Sequence, residues 1–360
     1  MKNLLPLLML AALFTIVGCS TMNDDDIPQV RLTLDPTEIK EEFTLGRVLF
    51  YDQSLSVNNS VSCASCHKQA FAFADNVAFS SGFENRVTTR NSMPLQNLGN
   101  SGGIFDDRLA LDFNGNVGVF FWDGRESNLS TMVLKPIVNH REMGIQDVDA
   151  LVERIANLDY YKKGFRNVYN DDQIDIQRVG RSLAAFVGSI TSTDTKLDQV
   201  SRGERQFTEL ERLGQQLFVG KYECNSCHQV QSPSGYLFAG TFSNIGLDPV
   251  YEDDGLGLTT NREEDKGKFK IPSLRNVELT APYMHDGRFQ TLEEVIDHYS
   301  TGLTDNENLD FRLRENFNGD PKFFDITNQE RKAIVEFLHT LTDYTMISDP
   351  NLSNPFRSIN

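Results

Sequence analysis

The sequence predicts a mainly α-helical protein in which one structural plan is used twice. Three observations carry that prediction. The order C-x-x-C-H occurs at Cys63, Cys66 and His67, and again at Cys224, Cys227 and His228. A segment carrying L-G-x-x-L-F precedes each motif, in "TLGRVLFYDQSLSVNNSVSCASCH" and in "RLGQQLFVGKYECNSCH". Each half then closes with a helical stripe of apolar residues. Ile176, Val179, Leu183, Phe186 and Ile190 form one stripe, and Ile334, Phe337, Leu338 and Leu341 form the other.

Taken in order, the chain begins with Lys2 and an apolar run from Leu4 to Gly18. The run is too short to cross a bilayer as a helix but suits the core of a signal peptide. It closes with Ile16-Val17-Gly18-Cys19, which resembles the lipobox of bacterial lipoproteins. Residues 1–19 therefore read as a lipoprotein signal peptide ending at a lipidated Cys19, with ordinary secretion and nearby cleavage as the alternative. Residues 20–34, with their Asn23-Asp24-Asp25-Asp26 run, read as a solvated tether. The first half spans 35–195, and its opening helix is expected to place Ile39, Phe43 and Phe50 on one face. The polar stretch 191–208 reads as the linker. The second half spans 203–346, and its closing helix starts with a capping box, Thr327-x-x-Glu330. Two Gly/Asn/Asp-rich stretches, roughly 80–118 and 229–268, lack regular periodicity and are expected to wrap a bound group.

The formal net charge is −17, and loss of Lys2 with the leader makes it −18. Such a surface argues against nucleic acid and for steering of a basic or neutral partner. No other segment is long and apolar enough to cross a bilayer, so membrane contact is expected through the lipid anchor only. Of the five cysteines, Cys19 belongs to the lipobox and the other four to the C-x-x-C-H motifs. None remains for a structural disulfide, although an exported protein can make one.

In C-x-x-C-H the two thiols bond to the vinyl groups of a haem, and the next histidine reaches its iron. Zinc or thiol redox chemistry is the competing use of C-x-x-C. Two copies in an exported chain, each behind a matching helix, favour two covalently bound haems c, held by Cys63, Cys66, Cys224 and Cys227 with His67 and His228 as iron ligands. The fold expectation is two tandem c-type cytochrome domains with long irregular haem-wrapping loops and little sheet. Two haems suit either an electron carrier or an enzyme in which one haem reacts and the other relays. An acid–base group beside an open iron position separates the two.

Such a group lies in "VFFWDGRESNLSTMVLKPIVNHREMG", which holds Trp122 and, twenty residues later, Glu142. This segment, with "TRNSMPLQN" and "LRNVELTAPYMHDGRFQTLEEVIDHY", resembles the bacterial dihaem cytochrome c peroxidase family, which includes MauG. The resemblance covers nearly the whole mature chain. It implies that the His67 haem reacts with hydrogen peroxide, that Glu142 is the distal acid–base catalyst, and that Trp122 lies on the electron path between the haems. It implies a calcium ion at Asn91 and the carbonyls of Thr280 and Pro282, which are the oxygen donors a hard cation prefers. It implies a small cytochrome c or other exported carrier as electron donor. His285 would sit near the interface of the halves, whereas His140, His298 and His339 read as structural or surface residues.

The sequence departs from the family pattern at three places. Residues 68–139 contain no histidine to cap the first iron. Met132 stands where a distal glutamine is common, although Pro136 is kept. Tyr299 aligns with the methionine that ligates the second haem of the peroxidases, as tyrosine does in MauG. Without the alignment, Met284, His285 or His298 would be nominated first. The expected activity is peroxide reduction to water at the periplasmic side of a bacterial envelope. The alternatives are MauG-like oxidation of a protein or small molecule and, less favoured, electron transfer without catalysis.

Overall fold

The computed structural model describes residues 32–33, 35–98, 120–230 and 242–358. The leader, the lipobox and most of the tether lie outside the described residues. A short antiparallel ladder, Leu32–Thr33 with Arg357–Ser358, forms one unit by itself. Residues 35–356 fall within a second unit.

Helix pairs explain the repeated sequence in that second unit. Helix α1 (Glu42–Tyr51) packs on α2 (Ile176–Ser189), and α3 (Glu209–Gln216) packs on α4 (Asn328–His339). The glycine of L-G-x-x-L-F lies at each crossing. A Cβ on Gly46 would come within 1.8 Å of the Ser182 carbonyl oxygen, and one on Gly214 within 1.9 Å of the Ala333 oxygen. Only glycine permits backbones this close. The phenylalanine of each motif then meets the partner helix, Phe50 on Phe186 at 5.0 Å and Phe218 on Phe337 at 5.5 Å. Both predicted stripes face the core, with Val179, Phe186 and Phe337 fully buried. The Thr327–Glu330 capping box forms as expected.

The apolar core divides into two main clusters, one around α1 and α2 and one around α3 and α4. A third, smaller group holds Leu303, Leu309 and Leu313, with Tyr299 against it. Three boundaries differ from expectation. Ile39 is buried but precedes α1, which starts only at Glu42 behind a Glu41–Thr44 capping box. The stretch 191–208 contains a helix, Lys196–Ser201, because Thr195 caps it and Leu197 enters the second core. Met346, at the expected end of the second half, packs in the first core, and Tyr51 donates to the Leu352 carbonyl at 2.7 Å. Where the two irregular stretches are described, at 80–98, 229–230 and 242–268, they hold 3-10 turns at Phe83–Asn85 and Glu263–Asp265, a short helix at Leu256–Thr260 and the strand Phe242–Ser243, which pairs with Phe269–Lys270; residues 99–118 and 231–241 lie outside the described residues. Among the described residues no helix is long and apolar enough to cross a membrane.

Candidate functional site

The first C-x-x-C-H motif is a single helical turn, Cys63–Cys66, with His67 as its C-cap. His67 Nδ1 lies 2.8 Å from the Phe73 carbonyl oxygen. A carbonyl only accepts, so the proton sits on Nδ1 and the Nε2 lone pair is free for a metal. Ala72 and Phe73 both have positive φ, 52° and 59°, which turns that carbonyl toward the ring. Non-glycine residues hold this conformation at some cost, about 1–3 kcal/mol each.

Cys63, Cys66 and His67 line a cleft of about 590 Å3 whose other walls include Phe50, Leu95 and Leu183. Met132, Pro136 and Glu142 line the same cleft. A mostly apolar space with two thiols and one neutral imidazole nitrogen at its wall fits a covalently held haem. The thiols fit thioether formation better than thiolate chemistry, since burial pushes Cys63 up to about 12 and Cys66 up to about 11.

Glu142 projects from a tight loop that is pinned at several points. Its own N–H donates to the Asn139 carbonyl, its carbonyl accepts from Phe83 N–H, and Val57 N–H donates to the Met143 carbonyl. Gly144 has φ +75°, and the Phe83 ring would lie 2.3 Å from any Cβ there. Asn139 Nδ2 donates to Glu142 Oε1 at 2.6 Å. Burial raises the Glu142 pKa, while the Arg125 charge and the Asn139 amide oppose the rise. A carboxylate so placed can exchange a proton with a molecule in the cleft.

The second motif forms a tighter 3-10 turn, Cys224–Ser226. His228 Nδ1 faces the Pro272 carbonyl at 3.1 Å, so this ring also presents Nε2. Burial pushes the His228 pKa down to about 4 and the Cys224 thiol up to about 12. His228 lines a space of about 320 Å3 with Pro272, Leu274 and Leu341. Tyr299 does not line that space. It lies in a π-helical turn, His298–Gly302, where burial and then the Cys227 and Cys224 thiols raise its hydroxyl pKa. It is therefore within electrostatic reach of both cysteines. Its neighbour His298 is committed elsewhere, with Nε2 2.9 Å from the Ile245 carbonyl.

Trp122 sits where the two halves meet. Its indole N–H donates to the Asn91 carbonyl at 2.9 Å, and its own carbonyl accepts from Lys270 N–H at 2.8 Å. Arg90 bridges the halves here, reaching Asp123 at 2.6 Å and Asp253 with two bonds of 2.7 Å. Asn91 is buried, its amide donates to the Val77 and Ala78 carbonyls, and its N–H donates to the His285 carbonyl at 2.7 Å. Pro282 and Thr280 lie on the loop leading to His285, whose ring stacks on Phe269 at 3.6 Å. Among the described residues no group of three or more His, Cys, Asp or Glu side chains is placed to hold a metal, so a calcium site here would draw on Asn91 and carbonyl oxygens. His140 is exposed and His298 buried.

Several participants were missed in the sequence. The Phe73 and Pro272 carbonyls leave no side-chain signature. Asn139 had one, since it lies three residues before Glu142 in "NHREMG" and an Asn at that offset commonly closes a local turn.

Comparison with known proteins matches residues 40–206 to the di-haem cytochrome c peroxidase family. The chain is 31% identical over 306 residues to methylamine utilization protein MauG of Methylorubrum extorquens, covering 84% of this chain and 78% of that one. It is 29% identical over 341 residues to cytochrome c551 peroxidase of Nitrosomonas europaea, covering 93% and 89%. Among solved structures, a MauG-like protein associated with microbial copper homeostasis superposes with a TM-score of 0.71 at 31% identity, covering 93% of this chain and 99% of that one. The diheme peroxidase BthA of Burkholderia thailandensis, at 22% identity and a TM-score of 0.68 over 88% and 90%, shares the fold.

Proposed function

The chain belongs to the di-haem cytochrome c peroxidase family, oxidoreductases that act on peroxide and carry two c-type haems, and on that premise we propose that it reduces hydrogen peroxide at the His67 site with Glu142 as acid–base catalyst. One observation carries the proposal: Glu142 and the Cys63–Cys66–His67 motif line one cleft. When bound, the haems supply the electron chemistry, at His67 toward peroxide and at His228 as a relay.

The residues do the rest. His67 and His228 are held in one tautomer by the Phe73 and Pro272 carbonyls, which orients Nε2. Asn139 occupies Glu142 Oε1 and leaves Oε2 to take a proton from one peroxide oxygen and return it to the other. O–O cleavage then releases water rather than hydroxide. Met132, Pro136 and Leu95 keep the cleft largely apolar, which strengthens each polar contact inside it. Trp122 is the electron path between the sites, a role supported by its bonds to Asn91 in one half and Lys270 in the other. The halves act as two cytochrome domains, 35–195 and 203–346. A cytochrome is the donor class, and a small exported one is the reading for this acidic surface.

Tyr299 as the second iron ligand of the His228 haem is supported by its reach to Cys224 and Cys227 and by the commitment of His298. It also favours the second reading, MauG-like oxidation of a protein or small molecule. Calcium at Asn91, Thr280 and Pro282, and a lipid anchor at Cys19 facing the periplasm, complete the proposal.

The test is Glu142→Gln. Peroxide turnover with a reduced cytochrome c should fall by about two orders of magnitude or more, with two haems still bound. Turnover near wild type would move proton transfer to another group.

A further inference from the structure

Lys270 takes no part in the chemistry above, yet its setting is unusual for a lysine. It lies in the strand Phe269–Lys270, and its N–H donates to the Trp122 carbonyl at 2.8 Å. Two residues further on, the Pro272 carbonyl holds His228. Phe269 and Ile271 are both 7% exposed. Alternation along extended backbone turns the half-buried Lys270 side chain to the face opposite theirs.

Its ammonium is partly withdrawn from water and makes no hydrogen bond or ion pair among the described residues. Burial alone acts on it, pushing its pKa down to about 8, and no charged side chain among the described residues offsets the effect. The acids on neighbouring elements are already engaged. Asp253 is held by Arg90, Asp123 by Arg90 and Arg125, Asp265 by Arg262 and Lys268, and Asp310 by Arg312. An ammonium held partly out of water without an anion loses hydration that nothing repays. The segment that follows the strand anchors His228 through Pro272, so the anion best placed to meet Lys270 belongs to whatever His228 holds.

We propose that Lys270 binds a propionate carboxylate of the haem at His228. The inference rests on reading His228 as a haem ligand. An ammonium–carboxylate pair away from bulk water is a strong charge-assisted contact. It places a positive charge beside that haem and within the segment bonded to Trp122. A nearby positive charge favours the reduced haem, which carries one more electron. Lys270 is thus a positioning residue that raises the potential of the relay haem.

The experiment is optical redox titration of the holoenzyme, resolving both haems, in wild type, Lys270→Met and Lys270→Arg. Haem content is measured in parallel by the pyridine haemochrome assay. In Lys270→Met the His228 haem should shift about tenfold toward its oxidised form, roughly 59 mV for one electron. The His67 haem should shift less, and Lys270→Arg should restore the wild-type value. Two haems per chain with no shift at the His228 haem, or a shift confined to the His67 haem, overturns the assignment of Lys270 and leaves the dihaem reading standing. Fewer than two haems in wild type overturns the reading beneath it as well.

Discussion

The two halves share a scaffold and differ in what they hang on it. Gly46 on Ser182 and Gly214 on Ala333 are the same close crossing, and Phe50–Phe186 and Phe218–Phe337 are the same aromatic contact. Each histidine gives Nδ1 to a backbone carbonyl. The sites then part. The first has a cleft of about 590 Å3 with Glu142 in its wall. The second has about 320 Å3 beside His228, and two π-helical turns, Leu217–Lys221 and His298–Gly302, reshape its surroundings. π turns inside helices often mark functional positions. The lesson is that packing preserves the duplicated core, whereas chemistry diverges in the segments that lead out of it.

The largest expected effect tests the shared scaffold. Gly46→Ala and Gly214→Ala each drive a Cβ into a carbonyl oxygen, and each should lose about 3 kcal/mol of stability, the upper end of ordinary overpacking. Gly220, where a Cβ would meet nothing within 4 Å, is the control, and its alanine variant should stay within about 0.5 kcal/mol of wild type. Urea unfolding measures all three. Similar losses at Gly46 and Gly214 sharpen the equivalence of the halves, and a neutral Gly214→Ala breaks it.

A smaller effect tests the difference between the sites. Burial raises the Glu142 pKa and the Asn139 amide lowers it. The carboxylate form accepts the proton, so activity is present above this pKa and is lost as pH falls through it. The acid limb of kcat/KM should therefore lie above the usual glutamate value. Asn139→Leu should move it further up and lower kcat by about tenfold, the loss of one charge-assisted bond of about 1.4 kcal/mol. An unmoved acid limb in a folded variant would remove Asn139 from the site.

Much of this was readable in the sequence. C-x-x-C-H, the two stripes and Glu142 in "REMG" are side-chain patterns, and the structure gathers the first motif and Glu142 into one cleft. The features that escaped belong to the backbone. Nothing in the side chains of Ala72 and Phe73 announces positive φ, because neither is Gly or Asn, so the carbonyl that sets the His67 tautomer could not be foreseen. Ile39 fitted the helical period and still fell outside α1, because the Glu41–Thr44 cap sets the start. The 191–208 stretch looked like a loop by polarity, yet Thr195 and Asp198 cap a helix there. Arg90 reaches Asp123 and, across 163 residues of chain, Asp253, a separation no local pattern reports.

The central claim is that one site is open for peroxide and the other is closed by a protein ligand. Electron paramagnetic resonance of the fully oxidised holoenzyme tests it most directly, in wild type and in Tyr299→Phe. The account predicts one high-spin and one low-spin ferric signal in wild type, with reaction on adding peroxide and no prior reduction. In Tyr299→Phe the low-spin signal should be lost or changed while the high-spin signal stays. Two low-spin signals in wild type, with reaction only after an electron is supplied, would contradict it.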